Sequence, residues 1–254
     1  SGTSFGEHSE LIEIEGAALP SFSWTSVILD SGVDGVIGDG DGVPETGETV
    51  VLRLEVTNRG EGAAAEPFVK LRNLAGHDLD LQVGTVELGA LGPGESAFAD
   101  LVFEIRGEES ESNALAVELT VGDNVRFDYN AVMSGGFYSF FSQVKELEIV
   151  VGSEHSWEEQ TPPALEITRT PELSVNSSTA VLSGVVNDDH GIRDLQIYHG
   201  ENKIFYQGGG DGVRSLPFTA DLDLEEGDNL VVVLARDEDG LTDVRSVNVY
   251  YRPE

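Results

Sequence analysis

The sequence predicts an all-β chain arranged as two tandem immunoglobulin-like β-sandwich domains. Three observations carry this expectation. Apolar residues recur at period two in short runs, most runs are bounded by Gly, Pro, Asn or Asp, and no stretch reads as a helix of three turns. The 254 residues include 30 glycines and 9 prolines, which imply many turns, and a hydrophobic fraction of 39% supports a real core.

Residues 1–19 read as a tag scar, SGTS, followed by the tail of an upstream element. Within that tail Ile12 and Ile14 alternate with Glu13 and Glu15, as in a closing strand. The first domain is expected over 20–151. In ETVVLRLEVTNRG (48–60), Val50, Leu52, Leu54 and Val56 take one face, while Val51, Arg53 and Glu55 take the other. Further runs lie at 68–71, 79–83, 97–105, 115–121 and 145–151. NAVMSGGFYSFFSQV (130–144) is aromatic but carries Gly135 and Gly136, which favours a strand or packed loop over a helix. Phe127, Tyr129, Phe137, Tyr138, Phe140 and Phe141 read as core aromatics, with a sugar-binding or protein-binding face as the alternative.

The texture changes at GSEHSWEEQTPPALEI (152–167), where Pro162-Pro163 cannot continue a ladder. Residues 152–161 are expected to be a linker, and 162–254 a second domain with runs at 165–168, 180–186, 195–199, 203–207, 216–222, 229–236 and 244–251. VVNDDHGIRDLQIY (185–198) echoes LARDEDGLTDVRSV (234–247); both read as strand, acidic turn and returning strand.

Lys and Arg number 14 against 47 Asp and Glu, a formal net charge of −33. Such a field repels phosphate backbones and anionic lipid, so nucleic acid is excluded as a partner, and it attracts divalent cations. The absence of cysteine excludes disulfides and thiolate metal sites. No apolar run reaches the ~20 residues of a membrane span, and no signal peptide is legible.

GDGDGVPETGETV (38–50) is the strongest candidate site. An EF-hand-type calcium loop needs oxygen ligands at positions 1, 3, 5, 9 and 12 with Gly at 6. With Asp41 at position 5, Asp39 falls at 3, Gly42 at 6, Glu45 at 9 and Glu48 at 12. Position 1 is Ile37, which cannot ligate through its side chain, so Asp34 or Asp30 would have to substitute. The expected metal set is Asp39, Asp41, Glu45, Glu48 and Asp34, holding a structural calcium; the competing reading is an acidic turn whose Asp side chains bond their own backbone.

No nucleophile setting emerges. His8, His77, His155, His190 and His199 sit in turns, linkers or strand ends, and neither GxSxG nor HExxH occurs. QGGGDGV (207–213) reads as a hairpin loop, because Asp211 would repel phosphate. The segment is therefore expected to carry no catalytic residues and not to be an enzyme.

Several phrases, in order, suggest a family: PSFSWTSVILD (20–30), GDGDGVPETGETVVLRLEVTNRGEG (38–62), KLRNLAGHDLDLQVGTVELGALGPGES (70–96), YNAVMSGGFYSFF (129–141), LSGVVNDDHGIRDLQIYHGENKIFYQGG (182–209) and LPFTADLDLEEGDNLVVVLARDEDGL (216–241). Together they resemble the C-terminal β-sandwich region of large bacterial PDZ-containing tail-specific (C-terminal-processing) serine peptidases. The resemblance implies a Ser-Lys type of dyad and a PDZ domain upstream, neither visible in this sequence, and a bacterial envelope address, periplasmic or secreted. It also implies a non-catalytic accessory role as spacer or protein-recognition module, with protein or peptide partners that include the upstream protease and PDZ domains. The alternative is a calcium-stabilised surface adhesin or carbohydrate-binding module, which would need Trp24 or Trp157 exposed as an aromatic platform.

Overall fold

The protein is described from a computed structural model covering residues 19–106, 114–124, 142–153, 156–200 and 202–253. Strands pack into two β-sandwiches, as the alternation predicts. The first is built from β1 (Phe22–Leu29), β2 (Thr49–Asn58), β3 (Pro67–Asn73), β4 (Leu79–Val83), β5 (Thr85–Glu87), β6 (Ser96–Ile105), β7 (Ala114–Asp123), β8 (Ser142–Val150) and β9 (Ser156–Gln160). One sheet has the order β4-β6-β2-β1-β9, and the facing sheet has the order β5-β3-β7-β8. The 48–60 pattern behaves as read: Leu52, Leu54 and Val56 are buried between the sheets with Trp24, Phe103 and Leu119.

The second sandwich comprises β10 (Ala164–Arg169), β11 (Ser174–Val175), β12 (Thr179–Asn187), β13 (Ile192–His199), β14 (Asn202–Gly208), β15 (Ser215–Asp223), β16 (Gly227–Asp237) and β17 (Thr242–Tyr251). Sheet β10-β12-β15 faces sheet β11-β17-β16-β13-β14. In β15, Leu216, Phe218, Ala220 and Leu222 point inward while each intervening residue is exposed, Pro217 among them. Proline is tolerated there because β15 is an edge strand.

The linker expected over 152–161 is corrected by the structure. Residues Ser156–Gln160 form β9, antiparallel to β1, with Val27 opposite Ser156 and Trp24 opposite Gln160. An edge strand held by main-chain bonds needs no apolar alternation, so a polar stretch such as SWEEQ satisfies the free edge of β1. The first sandwich thus extends past residue 151 to Gln160, and residues 161–163 alone separate β9 from β10.

This short connection is accompanied by a packed joint. Leu241, in the turn between β16 and β17, is 1% exposed because it inserts into the core of the first sandwich. Gln143 of β8 clamps the next residue. Its Nε2 donates to the Thr242 carbonyl (2.5 Å), and its Oε1 accepts from the Thr242 amide (2.7 Å). Lys145 pairs with Asp239 at 3.1 Å and donates to Gln160. Leu19, just ahead of β1, packs against Leu234 and Val244 of the second sandwich.

Candidate functional site

The acidic loop joins β1 to β2 at the end of the first sandwich opposite the joint. Its glycines have separate duties. Gly40 and Gly42 adopt φ of 91° and 83°, backbone that L side chains avoid. Gly38 is needed for close approach: a Cβ there would meet the backbone of Asp30, its Cβ at 2.8 Å and Glu48 Oε1 at 2.9 Å.

These turns wrap the loop around two buried carboxylates. Asp30, 3% exposed at the end of β1, accepts through Oδ2 from the amides of Gly40 and Gly42, both at 3.0 Å. Glu48, 9% exposed, accepts from the amides of Asp39 (3.1 Å) and Glu45 (3.0 Å). Asp39 Oδ1 takes the Asp41 amide (3.1 Å), and Asp41 Oδ1 takes the Val43 amide (2.8 Å). The loop is also tied sideways, since the Gly152 amide donates to the Pro44 carbonyl at 2.8 Å.

The result is a three-carboxylate group. Asp30, Asp39 and Asp41 each offer an oxygen within 4.8 Å of the other two. Calcium holds oxygens at 2.3–2.6 Å, so two ligands of one ion lie at most about 5 Å apart, and the group fits that span. The bonds above fall on one oxygen of each carboxylate.

The structure places Asp39 and Asp41 of the expected set together, with Asp30 beside them. Asp34 is exposed and outside the group. Glu48 is turned onto loop amides. Glu45 lies outside the three but within their field: burial raises its pKa first, and the charges of Asp39, Asp41, Glu48 and Asp30 raise it further. Ile37 exchanges main-chain bonds with Thr49 at 2.9 Å, which starts the strand pairing and takes no part in ligation.

Other expected features are dispersed. Trp24 is 1% exposed, so it offers no platform, while Trp157 lies in β9. The aromatic group at Phe127, Tyr129, Phe137, Tyr138, Phe140 and Phe141 falls outside the described residues, as do His8 and His155. His77 sits in a single 3-10 turn, Gly76–Asp78, and His199 ends β13. His190 bonds Asp189 at 3.1 Å; this bond first, then the charges of Asp189, Asp239 and Asp188, raises its pKa. The two echoing acidic turns of the second sandwich touch through their backbones, with the Glu238 amide donating to the Gly191 carbonyl at 2.8 Å. No described helix is long and apolar enough to cross a membrane.

No protein-family model matches the sequence, and no curated protein matches it as a relative. Several solved structures are similar in part. The fibronectin(III)-like modules of Clostridium thermocellum CbhA match at 12% identity and a TM-score of 0.28, covering 83% of this chain and 88% of that one. The secreted serine protease VesC from Vibrio cholerae matches at 15% identity and a TM-score of 0.27, covering 84% of this chain and 49% of that one. The BSP domain of a biofilm associated protein matches at 18% identity and a TM-score of 0.24, covering 85% of this chain and 30% of that one. The chain thus spans half or less of the last two. At TM-scores this low the likenesses decide nothing about activity, and the tandem β-sandwich assignment rests on the sheets themselves.

Proposed function

We propose that this chain is a non-catalytic accessory region of a bacterial envelope serine peptidase, acting as a spacer and protein-recognition module whose acidic loop is stiffened by calcium. The joint is the observation that carries the spacer role. Leu241 and the Gln143 clamp bind the sandwiches to each other, so loops at the far end of the first are held at a set position relative to the second. The family assignment is supported by the ordered sequence phrases given above. Recognition has a physical basis in the sheet edges, where β8 and β14 end their sheets and can accept an extended peptide by strand addition. The carbohydrate-binding alternative loses Trp24 as a platform.

Calcium would be held by Asp30, Asp39 and Asp41, with the exposed Glu45 carboxyl within their field. The ion would offset the repulsion of these carboxylates and lock the loop against β8–β9 through the Pro44–Gly152 bond. Calorimetric titration tests this directly. One stoichiometric site, lost in Asp39→Ala and Asp41→Ala, is expected. At a free calcium concentration 100 times Kd the native state gains about 2.7 kcal/mol by mass action, visible as a higher Tm than in chelator. No binding at millimolar calcium refutes the metal assignment. The accessory role is tested by deleting residues 20–254 from the parent peptidase. Cleavage of a short peptide should persist while processing of folded protein substrates falls; equal loss of both refutes it.

A further inference from the structure

The turn that joins the sandwiches is closed by a buried acid. Asp237, the last residue of β16, is 2% exposed. Its Oδ1 accepts the Leu241 amide at 2.8 Å, and its own amide donates to the Leu241 carbonyl at 3.1 Å. The carboxyl of Asp237 therefore holds the residue that plugs the first sandwich, and Thr242 beside it is the residue clamped by Gln143.

The surroundings of this carboxyl are acidic. From the β12–β13 turn it faces Asp188, with Asp189 and His190 alongside; within its own turn stand Glu238 and Asp239. Glu238 is engaged with the Gly212 amide of the β14–β15 loop at 3.0 Å. The first sandwich contributes Lys145, which is committed to Asp239 and Gln160. On β17, Asp243 is buried beside Arg245, and Glu61 of the first sandwich acts on it. The neighbouring Arg236 is taken up by Asp194 of β13 in a two-pronged ion pair at 2.9 and 2.5 Å.

Going beyond the spacer reading, we propose that the 237–241 turn is a proton-dependent latch between the two sandwiches, closed while Asp237 is protonated and eased open when it ionises. An ionised Asp237 would add a buried negative charge beside Asp188 and Asp239, and opening the turn, which withdraws Leu241 and releases the Gln143–Thr242 clamp, relieves it. Burial, opposed by the Leu241 and Gly240 amides and reinforced by Asp188 and Asp239, pushes the carboxyl up to about 7. His190 acts in the same direction, because its deprotonation with rising pH removes a positive charge from the same end of the domain. Each transition makes this end of the domain more negative by one charge.

Hydrogen exchange on the full chain reads the latch at two amides, Leu241 (held by Asp237) and Thr242 (held by Gln143). After correction for intrinsic exchange rates, protection of both should fall on the order of tenfold or more between pH 5.5 and 8.5. Asp237→Asn should stay protected and flat across the range, since Asn keeps an oxygen acceptor without the charge. Asp188→Asn, which removes one repelling charge, should move the midpoint to lower pH. His190→Gln should keep a transition that belongs to Asp237. Protection that is flat in the parent chain, or an equal fall in Asp237→Asn, overturns the latch; so does an unmoved midpoint in Asp188→Asn if Asp237→Asn fails to fold.

Discussion

Replacing Leu241 with alanine should uncouple the two sandwiches. The side chain is 1% exposed, belongs to the second sandwich by sequence and packs in the core of the first. Truncation removes about three carbons, worth about 0.8 kcal/mol each in transfer free energy, and the cavity left behind raises the cost to about 3–4 kcal/mol. At about 2–4 °C per kcal/mol for a chain of this size, the main transition should fall by about 10 °C. The shape of the melt is more telling than the shift. Calorimetry should show one coupled transition in the parent chain and two separable ones in Leu241→Ala. As a control, Leu182→Ala, in the core of the second sandwich, should weaken that sandwich without splitting the pair in this way. A loss for Leu241→Ala within about 0.5 kcal/mol, with an unchanged profile, refutes the coupling.

Three further outcomes rest on other buried groups. Gly38→Ala forces Asp30 and Glu48 apart and should destabilise the first sandwich by about 1–3 kcal/mol and abolish calcium binding, read by urea unfolding and calorimetry. Arg236→Met strands Asp194, 2% exposed, and should cost about 2–4 kcal/mol at pH 7. For Asp194, burial alone raises the pKa, but its bonds to Arg236 and Gln196 outweigh it and hold the carboxyl low. Its stabilising contribution is present above the unfolded value near ~3.9 and is lost as pH falls through the lower folded value, so the variant's deficit should shrink below about pH 4. Asp243 has the opposite sign: burial, opposed by Arg245, raises its pKa, so its contribution is present below the unfolded value and lost as pH rises through the folded one. Asp243→Asn should flatten that part of the pH–stability curve above about pH 4, and an unchanged slope would rule it out.

Much of the fold is legible because half-buried strands write their geometry into alternation. Val50 to Val56 and Leu216 to Leu222 are clear cases: Val50, Leu52, Leu54 and Val56 are buried, as are Leu216, Phe218, Ala220 and Leu222. β9 is not legible, because an edge strand bonded through its main chain imposes no pattern on SWEEQ, and the adjacent Pro162-Pro163 suggests a break. The acidic loop is half legible. Local spacing finds Asp39 and Asp41, but Asp30 joins from the end of the preceding strand through the Gly40 and Gly42 amides, a contact no fixed spacing encodes. Asp194 and Asp237 are illegible for a compositional reason: among 47 acidic residues, nothing local marks the few that are buried.

The pairing of β1 with β9 also decides how the chain bears tension. β1 leaves from Leu19 and β9 ends at Gln160, and both points lie at the joint. A pull between the chain ahead of Leu19 and the second sandwich is first resisted at Leu19, whose side chain packs on Leu234 and Val244 and whose carbonyl accepts from the Gly62 amide of the first sandwich at 3.1 Å. Once that contact yields, β1 and β9 are drawn apart from their shared end and unzip one bonded pair at a time, a geometry that yields at lower force than sliding whole strands past each other. The acidic loop, at the opposite end, is the last part of the first sandwich to feel the load.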